Sequence, residues 1–192
     1  MEKFSLERAL SLESQYDDSL ATRPIGAWLA KFVFFFSIIF ALYHYVTSGI
    51  GVPVDYWHMG AHMSGVLILI FISFPATKRL RQQSLDAQPW WSFSGVPIYD
   101  WLLMIAGVTA SLYVGFSWYG FEFNFLGLSL VVPEQVLRMG VPLPIDVFFG
   151  TVLIVVLLEA VRRTIGIIVP IIILLFTAYA IFGQSIPVQI LK

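Results

Sequence analysis

There is no cysteine among these 192 residues, which removes disulfides, thiolate metal sites, iron–sulfur clusters and cysteine nucleophiles in one step. Charge is scarce as well. Only 12% of residues are Asp, Glu, Lys or Arg, and eleven basic against twelve acidic residues leave a formal net charge of -1. That balance excludes a basic nucleic-acid binder and makes the placement of charges more telling than their sum. The sequence also lacks an internal repeat and a low-complexity stretch. A secretory signal peptide is not expected either, because the first 26 residues are polar and the first apolar run is too long for a signal's apolar core.

What remains is apolar: 58% of the chain is hydrophobic, 16% is aromatic, and the mean hydropathy is +0.84. A soluble domain of roughly 150 to 200 residues leaves about 30% of its unfolded surface in water, so a chain of this composition needs lipid as its solvent. A helix crosses the hydrocarbon with about 20 apolar residues. The stretches between successive charges predict five such spans, at about 27–48, 57–76, 99–120, 144–161 and 164–183. The expected fold is an all-α integral membrane bundle: residues 1–26 form a cytoplasmic segment and residues 27–192 the membrane domain. With the N-terminus inside and the C-terminus outside, Lys3, Arg8, Arg23, Lys31, Lys78, Arg79, Arg81, Arg162 and Arg163 all fall on the cytoplasmic side, as the positive-inside rule requires. Merging the last two spans would put Arg162 and Arg163 in lipid, at about 2.5 to 3.5 kcal/mol each. Trp28, Trp57, Trp101 and Trp118 lie near span ends, the place of an aromatic belt.

Outside the spans, Phe4, Leu6, Leu10 and Leu12 recur among charges at roughly helical spacing, which predicts an N-terminal amphipathic helix. The run FNFLGLSLVV, too short to span, is expected to be an interfacial or re-entrant segment, with Pro133 opening a short helix behind it. Pro170 is expected as a tolerated kink in the last span.

Few residues carry chemistry. His44, His58 and His62 fall toward the outer ends of the first two spans, so His44 and His62 could meet at one depth as a bis-histidine haem pair, or ligate another metal. Asp55, His58 and His62 fit equally well in a hydrogen-bonded interfacial network. Glu159 stands three and four residues before Arg162 and Arg163, which predicts a structural ion pair anchoring the helix at the inner boundary, with arginines that snorkel. A proton or ion relay would need acids through the membrane depth, and none lies mid-span. Gly60, Ser64, Gly65, Gly107, Ala110, Ser111 and Gly150 permit close backbone approach and predict helix–helix seams, one of them for a partner chain.

The string LEAVRRTIGIIVPIIILLFTAYAIFGQSIP, with Glu159, Arg162, Arg163, Gly166, Pro170, Tyr179, Gly183 and Pro187, resembles the corresponding stretch of tripartite ATP-independent periplasmic (TRAP) transporter permeases, above all those working with TAXI-type binding proteins. The stretches ALYHYVTSGIG, HMSGVLILIFISFPATKR and YDWLLMIAGVTASLYV resemble the helices upstream of it. The resemblance implies the small membrane subunit plus one linking helix. Such a subunit is not an enzyme; it is a scaffold bracing a large elevator-type transport subunit, and it helps dock a periplasmic TAXI-type binding protein in the bacterial inner membrane. It also implies that sodium and substrate bind in the large subunit, so no cofactor is expected on this chain. The chain is then either a separate subunit or a fragment of a fused permease. The alternative is a haem-bearing membrane anchor of a redox complex, resting on His44 and His62.

Overall fold

The computed structural model describes residues 8, 22–52, 54–77, 85, 90–125, 127–138 and 140–183. The amphipathic segment expected before residue 21 lies outside them, Arg8 apart, as does the tail beyond residue 183. Five α-helices dominate: α1 (Ala27–Ile50), α2 (Asp55–Ser73), α3 (Ile98–Ser117), α4 (Pro144–Thr164) and α5 (Ile168–Phe182). The first four are long and apolar enough to cross a membrane, and the chain is a multi-pass, all-α membrane bundle.

Helix ends follow from local chemistry. Pro75 forces the residue before it out of helical geometry; Phe74 accordingly sits at φ -104, ψ 116, and α2 stops at Ser73, short of the expected residue 76. Pro144 opens α4 as its first residue, a place where its missing N–H costs nothing. Gly166, at φ 107, breaks the chain between α4 and α5. Helix α5 therefore begins at Ile168, four residues later than expected, and Pro170 lies in its first turn, where proline is accommodated without a kink. Its 15 residues reach about 22 Å at 1.5 Å each, less than the roughly 30 Å of hydrocarbon.

Two hairpins punctuate the helices. Between α2 and α3, β1 (Ser92–Phe93) pairs with β2 (Val96–Pro97); Ser94 and Gly95 both take positive φ, 53 and 92, the pattern of a type I′ turn. A Cβ on Gly95 would stand 2.6 Å from the Pro24 carbonyl oxygen, so this turn is also where the segment leading into α1 docks. Between α3 and α4, β3 (Phe121–Phe125) pairs with β4 (Leu128–Val132) around Gly127 at φ 83. The interfacial or re-entrant segment expected here is thus a β-hairpin. Its alternating FEFNF sequence has the period of a strand with two unlike faces. A single 3₁₀ turn, Gln135–Arg138, follows two residues after Pro133.

The core lies among α2, α3 and α4, where Leu67, Phe71, Val156 and Ala160 are buried against Leu103, Met104 and Val152. The α2–α3 crossing is the closest: a Cβ on Gly60 would stand 3.0 Å from the Ser111 carbonyl oxygen, and one on Gly115 2.9 Å from that of Tyr56. Ser64 and Ser111 both donate to the Gly60 carbonyl, at 2.8 and 2.9 Å. Gly107 admits Val156 and Leu67, and Gly65 admits the Phe40 ring of α1. These seams are internal to the bundle, and Ser64, Ala110 and Ser111 are buried in them; of the four predicted glycines, Gly150 alone has open space around it. Gly115→Val should therefore push α2 and α3 apart, at about 1–3 kcal/mol for overpacking. Gly150→Ala should stabilise α4 by roughly 0.5–1 kcal/mol through helix propensity. Thermal unfolding in detergent, with the two variants moving in opposite directions, checks both.

Helix α1 is attached differently. Along most of its length its apolar side chains are exposed, with only Leu29 buried. Leu29 packs with Ile72 and Val96 beside the partly buried Trp101.

Candidate functional site

Helices α1 to α4 alternate in direction, and polar chemistry gathers at both ends of the bundle. At one end α1 starts, α2 stops, α3 starts and α4 stops. There Arg23, three residues before Gly26, donates its backbone N–H to the Ser73 carbonyl at 2.9 Å. Its Nη2 donates to the carbonyls of Phe71 at 3.3 Å and Phe74 at 2.9 Å, and to the Asp100 carboxylate. Asp100, in the first turn of α3, is 0% exposed. Its Oδ1 stands 2.6 Å from Nη1 of Arg163, itself 1% exposed. Arg163 donates from Nε to Glu159 at 2.8 Å and from Nη1 to the Phe74 carbonyl at 3.3 Å, and its guanidinium lies 4.8 Å from the Phe71 ring centre. Arg162 holds both Glu159 oxygens, at 2.7 and 2.8 Å, and donates to the Ala76 carbonyl at 3.1 Å.

The physical logic is helix capping in trans. The last carbonyls of a helix lack intrahelical donors and carry partial negative charge. No basic residue stands in the last turn of α2; three arginines from two other segments donate there instead. Asp100 and Glu159 then balance two of the three guanidinium charges. Burial pulls the Arg23 guanidinium below its ordinary value, Asp100 pushes it back up, and the neighbouring Arg163 lowers it further; arginine stays charged through any such shift. Arg23 Nε and Nη1 and the Trp101 indole N–H are buried without a hydrogen-bond partner.

Glu159 thus meets Arg162 and Arg163 as the i+3 and i+4 spacing predicts, but the expected snorkelling applies to Arg162 alone, which is 35% exposed. Arg163 is drawn inward by Asp100. Neither Arg23 nor Asp100 figured among the expected site residues, because each looks like a boundary charge until the fold brings together residues 77 apart.

At the opposite end Asp146, in the first turn of α4, takes a hydrogen bond from Tyr113 Oη at 2.6 Å, one from the Leu143 N–H at 2.7 Å, and a paired contact from Arg138. Arg138 also donates to the Pro133 carbonyl at 3.2 Å. This ties the hairpin loop to the α3–α4 pair. The bond to Asp146 raises the Arg138 guanidinium above its ordinary value.

The histidines form a third cluster, between the last third of α1 and the first half of α2. His62 Nδ1 and His44 Nε2 stand 3.0 Å apart, and His58 Nδ1 is 2.7 Å from Tyr43 Oη. The His44 and His58 ring centres are 5.3 Å apart. A shared metal would have to lie between the two ring nitrogens that face each other. His44 and His62 instead touch each other directly. Among the described residues no group of three His, Cys, Asp or Glu side chains is disposed to hold a metal.

Known proteins give no match: no family model, curated protein or solved structure aligns with this chain. What the geometry can do chemically is limited and definite. The two charged clusters join helix ends to one another, and apart from the histidines with Tyr43 the long faces between them are largely apolar.

Proposed function

We propose that this chain is a static scaffold subunit of a secondary-active, TRAP-type solute importer in a bacterial inner membrane. In this reading it braces a large elevator-type membrane subunit and helps a periplasmic TAXI-type binding protein to dock. The observation that carries the reading is where the paired carboxylates and guanidinium groups of the described residues lie; the neutral-to-cationic histidines of α1 and α2 stand apart from them. Arg23, Asp100, Glu159, Arg162 and Arg163 at one end, and Arg138 and Asp146 at the other, are engaged with helix ends and with each other. A solute or ion pathway needs such groups at mid-depth, facing a cavity. A wall against which another domain slides needs the reverse: rigid ends and apolar flanks. The exposed apolar flank of α4, with Val147, Phe148, Ile154 and Val155, and the outward side chains of α5 provide such flanks. Sodium and substrate sites belong, on this reading, to the large subunit, and the N-terminus faces the cytoplasm.

Reconstitution tests it. The chain alone in liposomes, with a binding protein and a sodium gradient, should give no uptake above empty vesicles, and adding a large TRAP-type transport subunit that co-purifies with it should restore uptake. Uptake by the lone chain would overturn the scaffold reading. A Soret band in the purified protein would replace it with the haem-anchor alternative.

A further inference from the structure

We infer that the His44–His58–His62 cluster is a pH-sensitive clasp that holds the end of α1 against α2 near neutral pH and releases it in acid. The inference is independent of the importer reading. Helix α1 has few other holds: Leu29 at its start, and toward its end the Phe40 ring seated over Gly65 together with the histidines and Tyr43. Whatever loosens the imidazoles therefore acts on half a helix.

The His44–His62 contact is a bond between two ring nitrogens, 3.0 Å apart. One of them must donate and the other accept, so the contact needs one proton between the facing nitrogens. It survives when one ring becomes cationic, because the other still offers a lone pair. It fails when both are cationic, because two N–H groups then face each other. The ring centres are 4.7 Å apart, and His58 lies 5.3 Å from His44 on the other side. Cations at such spacing repel one another strongly even where water partly screens them, and imidazole is the side chain that charges between about pH 8 and pH 5. The Tyr43–His58 bond does not share this weakness, since a phenol can donate or accept.

Among the described residues, the surrounding groups do not supply the missing negative charge to the bonded pair. On α1 the titratable neighbours are Tyr43, bonded to His58, and Tyr45, which is exposed. On α2 the one carboxylate is Asp55, three residues before His58 and so placed to offset a charge there, but nearly two turns from His62. Helix α3 packs on the opposite side of α2 through Gly60 and Gly115, and its titratable groups at this level are Tyr113, committed to Asp146, and beyond its end Tyr119. Lys31 stands near the start of α1, more than three turns from His44.

The chain has no native cysteine, so paired spin labels can be placed directly. Labels at Leu42 and Met59, both exposed, report the α1–α2 distance in the full-length protein; labels at Met59 and Ile105 report α2–α3 as a control. Between about pH 8 and pH 5 the short-distance α1–α2 population should fall on the order of tenfold, while the control pair stays constant. His44→Gln with His62→Gln, which can hydrogen-bond but cannot charge, should keep the short distance at both pH values. An unchanged distance in the parent chain would overturn the clasp. So would a pH response that persists in the double variant, or one that appears equally in the α2–α3 control.

Discussion

Asp100→Ala is expected to be the most damaging single substitution in the described bundle. It removes the carboxylate shared by Arg23 and Arg163, both 1% exposed at the side chain; Arg163 keeps Glu159, but Arg23 is left buried beside another guanidinium with no carboxylate in contact. Breaking a buried ion pair by deleting one partner costs about 3–5 kcal/mol, more than the intact pair contributes over an apolar replacement. Here the deletion strands Arg23 outright and halves the carboxylate contacts of Arg163, so a loss within that range applies. The carbonyls of Phe71 and Phe74 would still attract the arginines, but Arg23 would lose the partner that fixes its approach. Folded protein recovered from membranes, and its unfolding midpoint in detergent, should both drop sharply. Glu159→Ala is the internal comparison: Arg162 keeps access to water, and a pair exposed to that degree is worth far less, so its loss should be plainly smaller. Equal losses in the two variants would mean that Asp100 is not the centre of the network.

The unequal legibility of these two acids in the sequence has a physical cause. Glu159 is three and four residues from its partners, within the reach of one helical turn, and its pairs follow from periodicity alone. Asp100 meets Arg23 and Arg163 only after four segments have packed, and no local pattern encodes that meeting. The same division runs through the fold. Spans could be placed from runs of apolar residues, and the small residues at Gly60, Ser64 and Ser111 marked a real crossing. Which helix they crossed with could not be read. The β3–β4 hairpin is a different case: Phe121, Phe123 and Phe125 alternate with Glu122 and Asn124 ahead of Gly127, a local signal that the strongly apolar surroundings masked. In the histidine cluster, His44 and His62 were expected at one depth, and the structure adds their direct contact and the Tyr43–His58 bond.

The second large effect is expected at the opposite end. Asp146→Ala removes the acceptor for Tyr113 Oη, the Leu143 N–H and Arg138 at once. The tyrosine is 8% exposed, so its hydroxyl would be left buried, at about 1–3 kcal/mol. The first turn of α4 would also lose an acid well placed against the helix dipole, about 0.3–1 kcal/mol more. Arg138 can turn to water, which limits its share. Because Arg138 also donates to the Pro133 carbonyl, the loop after the hairpin should loosen while the far end of the bundle keeps its structure. Hydrogen exchange should accordingly rise over residues 133–146 and stay low at the end of α2. Exchange that rises equally at both ends would show that the two charged clusters are one cooperative unit.

The borrowed caps on α2 bear on how this chain is made. Arg163 reaches the Phe74 carbonyl across 89 positions and Arg162 reaches that of Ala76 across 86. At a synthesis rate of about 5–20 residues per second, the ribosome needs roughly 5 to 20 s to deliver them after α2 has emerged. During that interval α2 has one of its three arginines, Arg23, and its terminal carbonyls must be served by water or lipid headgroups. The end of α2 is therefore the last part of the early helices to mature, and the arrival of α4 closes the bundle around it. Nascent chains truncated before residue 162 should leave that end open to aqueous labelling reagents, whereas chains long enough to expose Arg163 outside the ribosome should protect it.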